Sequence, residues 1–304
     1  MEELEKYKEQ DIENPTYLFH GSPYQINSLE PRKSLDSRNK ENEDEAVFLT
    51  SCFNTAAAYA FRNRLKEINE YYNFIMNNNG KSPAMIFRAE NILTDLYGYI
   101  YVFNISDDII KDKHSGTTQY RCYHELYPVD VVKVYYKDFA NNFAKLMIES
   151  DRIYYTQMTE CLVDEYLKMY NNPEIQKSLY GQKKEFTREQ MEGWVQRCLS
   201  KNKPIFSMIE KGTNDFIGIA EIPDIKDNIG EIAISVTPGK QGKGYGKEAI
   251  QTIINYGSEK MNLDGFELYV YKANQRAISC YQNVGFQIDW EGYTTDDVHM
   301  SRRK

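Results

Sequence analysis

The chain contains no apolar run approaching the ~18 residues of a membrane-crossing helix. Its first residues, MEELEKYKEQDIEN, are charged and helix-prone and lack the apolar stretch of a signal peptide. No membrane partner is therefore expected. The five cysteines, at 52, 122, 161, 198 and 280, form no C-x-x-C pair. An odd, scattered set argues against a disulfide frame and against a zinc site. It predicts reduced thiols and a cytoplasmic location. A basic excess is missing too. Residues 1–150 hold 17 basic and 23 acidic groups, a net −6, and residues 151–304 hold 20 and 22, a net −2. Neither half has the charge expected of a nucleic-acid binder. There is no internal repeat, no low-complexity tract and no Pro/Gly-rich linker.

What remains is a chain of 304 residues with 41% apolar content, enough for two cored domains. In the first half, 16–22, 46–51, 84–90, 97–105 and 129–139 read as strands. Residues 54–76 have helical spacing, with Ala57, Ala58, Phe61, Leu65 and Ile68 three and four apart. Residues 140–150 read as a helical junction. The second half reads β-α-α-β-β-β-α-β-α-β. Its helices fall at 161–179, 187–200, 246–261 and 275–284, and its strands at 153–158, 205–210, 216–222, 230–236 and 265–271, followed by a closing strand. Gly285 is placed to end the last helix as a left-handed cap.

Gln241-Gly242-Lys243-Gly244-Tyr245-Gly246 lies between a strand and a helix. Three glycines in six residues permit positive φ and close backbone approach. Amides of such a loop, at the positive end of the next helix dipole, make a pyrophosphate cradle. The P-loop Lys-Ser/Thr pair is absent, and a dinucleotide-binding turn would need an acidic partner ~20 residues on, after the next strand.

One helix and one strand later comes Asn274-x-x-Ala277-x-x-x-Tyr281-x-x-x-Gly285-Phe286. Together the two motifs resemble the GNAT superfamily of N-acetyltransferases. Gln241, Gly244 and Gly246 match its Q/R-x-x-G-x-G/A signature, and the second motif matches at each fixed position. NNPEIQKSLYG (171–181) is similar to the branch that acetylates ribosomal-protein amino termini, which also holds enzymes with small-molecule substrates. The resemblance implies acetyl-CoA lying between splayed strands 230–236 and 265–271. Main-chain groups of Ile234 to Val236 would pair with the pantetheine arm. Gln241, Gly242, Lys243, Gly244, Tyr245, Gly246 and Asn274 would complete the acetyl-CoA site. An amide near Val236 would hold the thioester oxygen as it becomes an oxyanion. Tyr281 would face the departing sulfur. Full transfer from a phenol (~10) to a thiolate (~8.5) is uphill by about 2 kcal/mol, so Tyr281 is read as a hydrogen-bond donor. Glu231 is the candidate general base, with Glu221 on the neighbouring strand as competitor.

In the first half, His20-Gly21-Ser22 ends a strand, AVFLTSCFNTAAAYA follows, and His124-Glu125-Leu126-Tyr127-Pro128 comes late. That order resembles the ADP-ribosyltransferase superfamily of the poly(ADP-ribose) polymerase type. The resemblance implies an NAD site formed by His20, Gly21, Ser22, Phe48, Tyr59 and Glu125. Phe48 departs from the family's tyrosine and can stack but not hydrogen-bond.

The expected architecture is thus α/β and α+β in two domains. Residues 1–145 form a small ADP-ribosyltransferase-like domain, mostly β with one long helix. Residues 150–304 form a GNAT fold with a mixed, V-splayed sheet and flanking helices. The leading expectation is acetyl transfer from acetyl-CoA to an amine acceptor, with NAD as a second cofactor and no metal. A bifunctional acetyl/ADP-ribosyl transferase and a non-catalytic acyl-CoA/NAD sensor are the alternatives.

Overall fold

In the computed structural model the chain divides into two units, Met1–Lys145 and Leu146–Lys304. The structure describes residues 2–33, 44–69, 73–77, 79–89, 91–93, 95–113, 117–180, 184–289 and 296–303. Residues 70–72 and 90, which the sequence assigns to a helix and a strand, lie outside them.

The first unit contains α1 (Glu2–Lys8), β1 (Tyr17–Ser22), β2 (Arg32–Lys33), β3 (Glu45–Thr50), α2 (Phe53–Glu67), β4 (Asn73–Met76) and β5 (Met85–Arg88). β6 (Tyr97–Asn104), β7 (Ile110–Lys111), β8 (Gln119–Cys122), β9 (Asp130–Tyr135) and the start of β10 (Phe143–Glu149) follow. Its antiparallel sheet runs β7-β8-β3-β1-β6-β9, with β2 beside β3. Successive strand side chains alternate between faces. Phe19, Ile100 and Val102 pack with the alanine-rich face of α2. Leu18, Val47, Leu49, Tyr101 and Tyr120 form a separate cluster. Gly21 lets α2 sit directly on β1: a Cβ there would lie 1.8 Å from the Ala56 carbonyl oxygen.

The helix predicted over 54–76 ends at Glu67, and Asn73–Met76 instead pairs with β5. Phe143–Glu149, read from sequence as a helical junction, is a strand. Phe143–Lys145 pair with Met85–Phe87, and Leu146–Glu149 pair with Tyr154–Thr156. Long-range pairing here overrides a weak local preference.

The second unit continues with β11 (Ile153–Gln157), α3 (Val163–Tyr170), α4 (Pro173–Tyr180), α5 (Arg188–Ser200), β12 (Ile205–Glu210) and β13 (Phe216–Lys226). Then come β14 (Ile229–Val236), α6 (Tyr245–Lys260), β15 (Gly265–Tyr271), α7 (Gln275–Gln282), β16 (Gln287–Ile288) and β17 (Asp297–Arg303). Its strands are ordered β16-β17-β15-β14-β13-β12-β11-β10. Within this order only β14 and β15 are parallel. The helix predicted over 161–179 is two helices, α3 and α4. Pro173 cannot donate to a continuing ladder and instead opens α4, where a missing N–H costs nothing. Thr187 and Gln190 close a reciprocal capping box at the start of α5.

α6 buries Ala249, Ile250, Ile253 and Ile254 against Ile217, Ala220 and Ile222 of β13, Ile232 of β14, and Phe266 and Leu268 of β15. This packing fixes the N-terminus of α6 at the end of β14. Pairing of β14 with β15 covers Ile229–Glu231 with Gly265–Glu267 and stops there, although both strands run on. The sheet therefore splays beyond Glu231.

Candidate functional site

The splay leaves the β15-facing edge of β14 without a strand partner beyond Glu231, while its other edge stays paired with β13. Backbone polar groups on an open edge accept an added extended ligand as a further strand would. A cavity of about 310 Å³ opens at this point. It is lined by Glu231 and Ile232–Val236 of β14, Tyr269 and Val270 of β15, the loop into α6, and Tyr281 of α7.

Gly242 and Gly244 adopt φ of +76° and +85°. Gly244 is the N-cap of α6 and provides no capping side chain. The Glu248 amide bonds back to the Gly244 carbonyl, so the preceding amides of the first turn have no partner within the helix. Gly242, Gly244, Gly246 and Lys247 all line the cavity, so these amides and one cation face a common space.

Two of the predicted cradle residues have other duties. The Gln241 amide donates to the Val236 carbonyl at 2.8 Å and its oxygen accepts from Arg276, tying the loop to the end of β14 and to α7. Tyr245 is turned into the core, where its hydroxyl donates to Glu210. Tyr245 and Lys243 are not among the cavity-lining residues. What these two positions offer the cradle is therefore their main-chain amides, not their side chains. The reason for Tyr245 is periodicity: it sits on the same helical face as Ala249.

Arg152, which carries no motif, holds the loop from the other side. Its guanidinium donates to the Lys243 carbonyl at 2.9 Å and to Glu248 at 2.7 Å, and it lies 4.6 Å over the Tyr245 ring. Glu210 anchors the same corner. Burial opposes its ionisation, but bonds from Lys240, Thr213 and Tyr245 hold its carboxyl down at about 2. Neither Arg152 nor Glu210 could be found from sequence, because each acts on a partner dozens of residues away.

Tyr281 is buried on α7 and lines the cavity. Its hydroxyl meets no hydrogen-bond partner among the described residues. Burial, reinforced by Cys280, pushes the phenol well above its ordinary range, so it stays protonated and remains a donor. Glu231 sits where the strands part. Burial, then Asp224 and Glu267, raise its carboxyl above the usual range. Glu221 is pushed further, to about 7, chiefly by burial, but it does not line the cavity. Asn274 caps α7 by accepting from the Ala277 amide at 3.2 Å, and it lines the cavity. Ile175, Ser178 and Leu179 of α4 close the opposite wall, which no motif announced.

The residues predicted for NAD do not assemble in the same way. His20 Nδ1 lies 2.9 Å from the Phe48 carbonyl oxygen, and burial lowers the imidazole pKa. Phe19 and Gly21 face α2, so His20 projects to the other side of β1 from Tyr59. Two expected stacking faces are taken by cations: Arg121 lies 5.3 Å over Phe48, and Arg62 lies 5.6 Å over Tyr59. Ser22 is buried, and Glu125 is exposed beside Tyr127. One NAD pocket formed by His20, Gly21, Ser22, Phe48, Tyr59 and Glu125 is therefore not supported: strand alternation turns the imidazole to the other side of β1 from the helix aromatic.

Residues 152–287 match the family described as Acetyltransferase (GNAT) domain. The chain is 33% identical over 84 residues to an uncharacterized N-acetyltransferase p20 of Bacillus licheniformis, covering 27% of this chain and 47% of that protein. It is 26% identical over 98 residues to a spermidine N(1)-acetyltransferase of Vibrio cholerae, covering 32% and 56%. These matches span about half the length of the curated relatives. A crystal structure of spermidine N-acetyltransferase from Vibrio cholerae in complex with CoA and spermine aligns with a TM-score of 0.46 at 19% identity, over 51% of this chain and 96% of that one. Residues 152–287 form a GNAT acetyltransferase domain, an enzyme domain of the acyltransferase type.

Proposed function

We propose that the chain transfers acetyl from acetyl-CoA to a primary amine by direct attack, with no covalent enzyme intermediate. One observation carries this reading. The cavity at the β14–β15 splay gathers an unpartnered strand edge, a glycine cradle, a free phenol and a carboxylate into one space. Pyrophosphate suits the amides of Gly242–Lys247 at the start of α6, with Arg276 and Lys247 supplying positive charge. The pantetheine arm suits the open edge of Ile234–Val236. A main-chain amide near Val236 is the oxyanion donor.

An alkylammonium ion must lose a proton before it attacks. Glu231 takes that proton, directly or through one water, and its raised pKa keeps it a competent base. The amine nitrogen then bonds to the acetyl carbon, the carbon–sulfur bond breaks, and the surplus proton on nitrogen passes through solvent to the thiolate, leaving amide and CoA thiol. Tyr281 stabilises the departing thiolate by donating a hydrogen bond. Glu231 lies opposite Asp224 and Glu267 in register, which makes this end of the cavity acidic. An acidic rim favours a cationic acceptor, in keeping with the relatives named for spermidine. The His20–Phe48 contact alone supports no NAD role, and none is proposed.

The test is release of CoA thiol from acetyl-CoA, measured with spermidine, a peptide with a free amino terminus, and an alcohol control. Amine-dependent release that Tyr281→Phe slows is the expected result. Tight acetyl-CoA binding with no release for any amine would instead make the domain a sensor.

A further inference from the structure

The late His124-Glu125 motif of the first unit has no part in the proposed reaction, yet the fold places chemistry beside it. Asp108 comes from the segment between β6 and β7. Cys122 ends β8, and His124 follows two residues later. One carboxylate oxygen, one sulfur and one imidazole nitrogen from these residues all lie within 4.8 Å of one another. We propose that they bind one divalent transition-metal ion of the zinc class.

The local backbone supports the grouping. β8 ends at the buried Cys122 and the chain bends at Tyr123 and His124, and this bend leaves the exposed His124 ring near the strand end. His124 Nδ1 lies 2.9 Å from the Glu125 carbonyl oxygen. That contact keeps a proton on Nδ1, and the ion would displace the proton that Nε2 shares with Asp108, leaving Nε2 as the ligand. A ring N–H held by a carbonyl is the outer contact that metal-bound imidazoles commonly make. Cys122 is fully buried with its sulfur 3.7 Å from the His124 carbonyl oxygen, so the ion would be held from the protein side by sulfur.

The donor set selects the metal. Sulfur and imidazole favour zinc, whereas magnesium and calcium take oxygen ligands. A thiolate and a carboxylate carry two negative charges between them, which one divalent cation cancels. Tetrahedral zinc bonds of about 2.0–2.3 Å separate ligand atoms by roughly 3.3–3.8 Å, so an ion would enter between His124 Nε2 and Asp108, now in direct contact, moving that pair apart and drawing in the Cys122 sulfur. The Asp108 and His124 side chains are about half exposed, which leaves the fourth position to water. Binding joins the β6–β7 turn to the end of β8 and releases to solvent both the thiol proton and the proton between His124 Nε2 and Asp108. The sequence offered no warning, because the pattern is C-x-H with a distant Asp and not paired C-x-x-C.

The full chain, reduced and stripped with chelator, would be titrated with Co²⁺ and then Zn²⁺. One equivalent of Co²⁺ should give visible tetrahedral bands and a near-ultraviolet thiolate-to-metal band, both displaced by Zn²⁺. Cys122→Ser should remove the thiolate band. Because a buried substitution can unfold the unit, Asp108→Asn and His124→Ala serve as surface variants, with circular dichroism checking the fold. Each should weaken Zn²⁺ affinity by more than about 10-fold, and Zn²⁺ should raise the melting temperature of the unaltered chain more than theirs. Absence of a thiolate band would overturn the proposal. So would unchanged Zn²⁺ affinity in the two surface variants, which would leave only a His124–Asp108 ion pair.

Discussion

Two regions of this chain place glycine against a helix, and they use it for opposite purposes. At Gly244 the backbone turns left-handed to open a space, and its amides face a cavity. At Gly21 the missing side chain is consumed by packing, since Ala56 and Ala60 of α2 occupy the volume a Cβ would need. The first glycine makes a site and the second makes a core. Motif reading treats them alike, because it sees the residue and not what fills the space around it.

The sharpest way to break this comparison is to fill both positions. Gly244→Glu should abolish acetyl-CoA binding, lowering affinity by at least about 100-fold, because it brings bulk and like charge to the cradle. Titration calorimetry measures this, and retained affinity would move the cofactor elsewhere. Gly21→Ala should leave the cofactor site untouched but destabilise the first unit by about 3 kcal/mol, because α2 must shift off β1. Urea unfolding reads that loss.

A second pair compares two tyrosines of the second unit. Tyr281→Phe should lower kcat by about 10–1000-fold with little change in the KM for acetyl-CoA. Its stability should change by less than about 0.5 kcal/mol, since the lost hydroxyl had no protein partner. Tyr245→Phe should do the reverse, keeping kcat and costing about 1 kcal/mol, because Glu210 loses a bond. Steady-state kinetics and thermal melts on both variants separate the roles.

The two glutamates should part in their pH behaviour. Glu231 must be ionised to act, so kcat/KM should fall as pH drops through its raised pKa. That acid limb should lie above the ordinary carboxylate range and vanish in Glu231→Gln. Glu221 affects stability instead. Its folded pKa of about 7 exceeds the unfolded value of 4.5, so the folded chain binds the extra proton. Stability should therefore decline as pH rises from about 4.5 to about 7, and Glu221→Gln should flatten that decline. Denaturant midpoints against pH measure it.

The smallest effect belongs to Glu125→Gln. The residue is exposed and outside the cavity, so acetyl transfer should be unchanged and stability should move by less than about 0.5 kcal/mol. Labelled NAD should release no nicotinamide from either form. Release by the unaltered chain alone would supply the support for NAD that the geometry of His20 and Tyr59 does not.

The sequence alone determined the cradle, the helix that follows it and the tyrosine on α7. Each rests on local rules: glycine where φ is positive, apolar spacing along α6, and a side chain that caps its own helix at Asn274. These need no knowledge of distant residues. Tertiary structure decided the rest. It made a strand of Phe143–Glu149, because Met85–Phe87 and Tyr154–Thr156 were there to pair with it. It chose Glu231 over Glu221 for the cavity wall, because β14 and β15 part at Glu231. It set Arg152 against the loop 91 residues away and brought Asp108 to His124 across 16. Such choices depend on which partners the fold brings within ~4 Å, and side-chain chemistry is decided at that range while sequence patterns extend only along the chain.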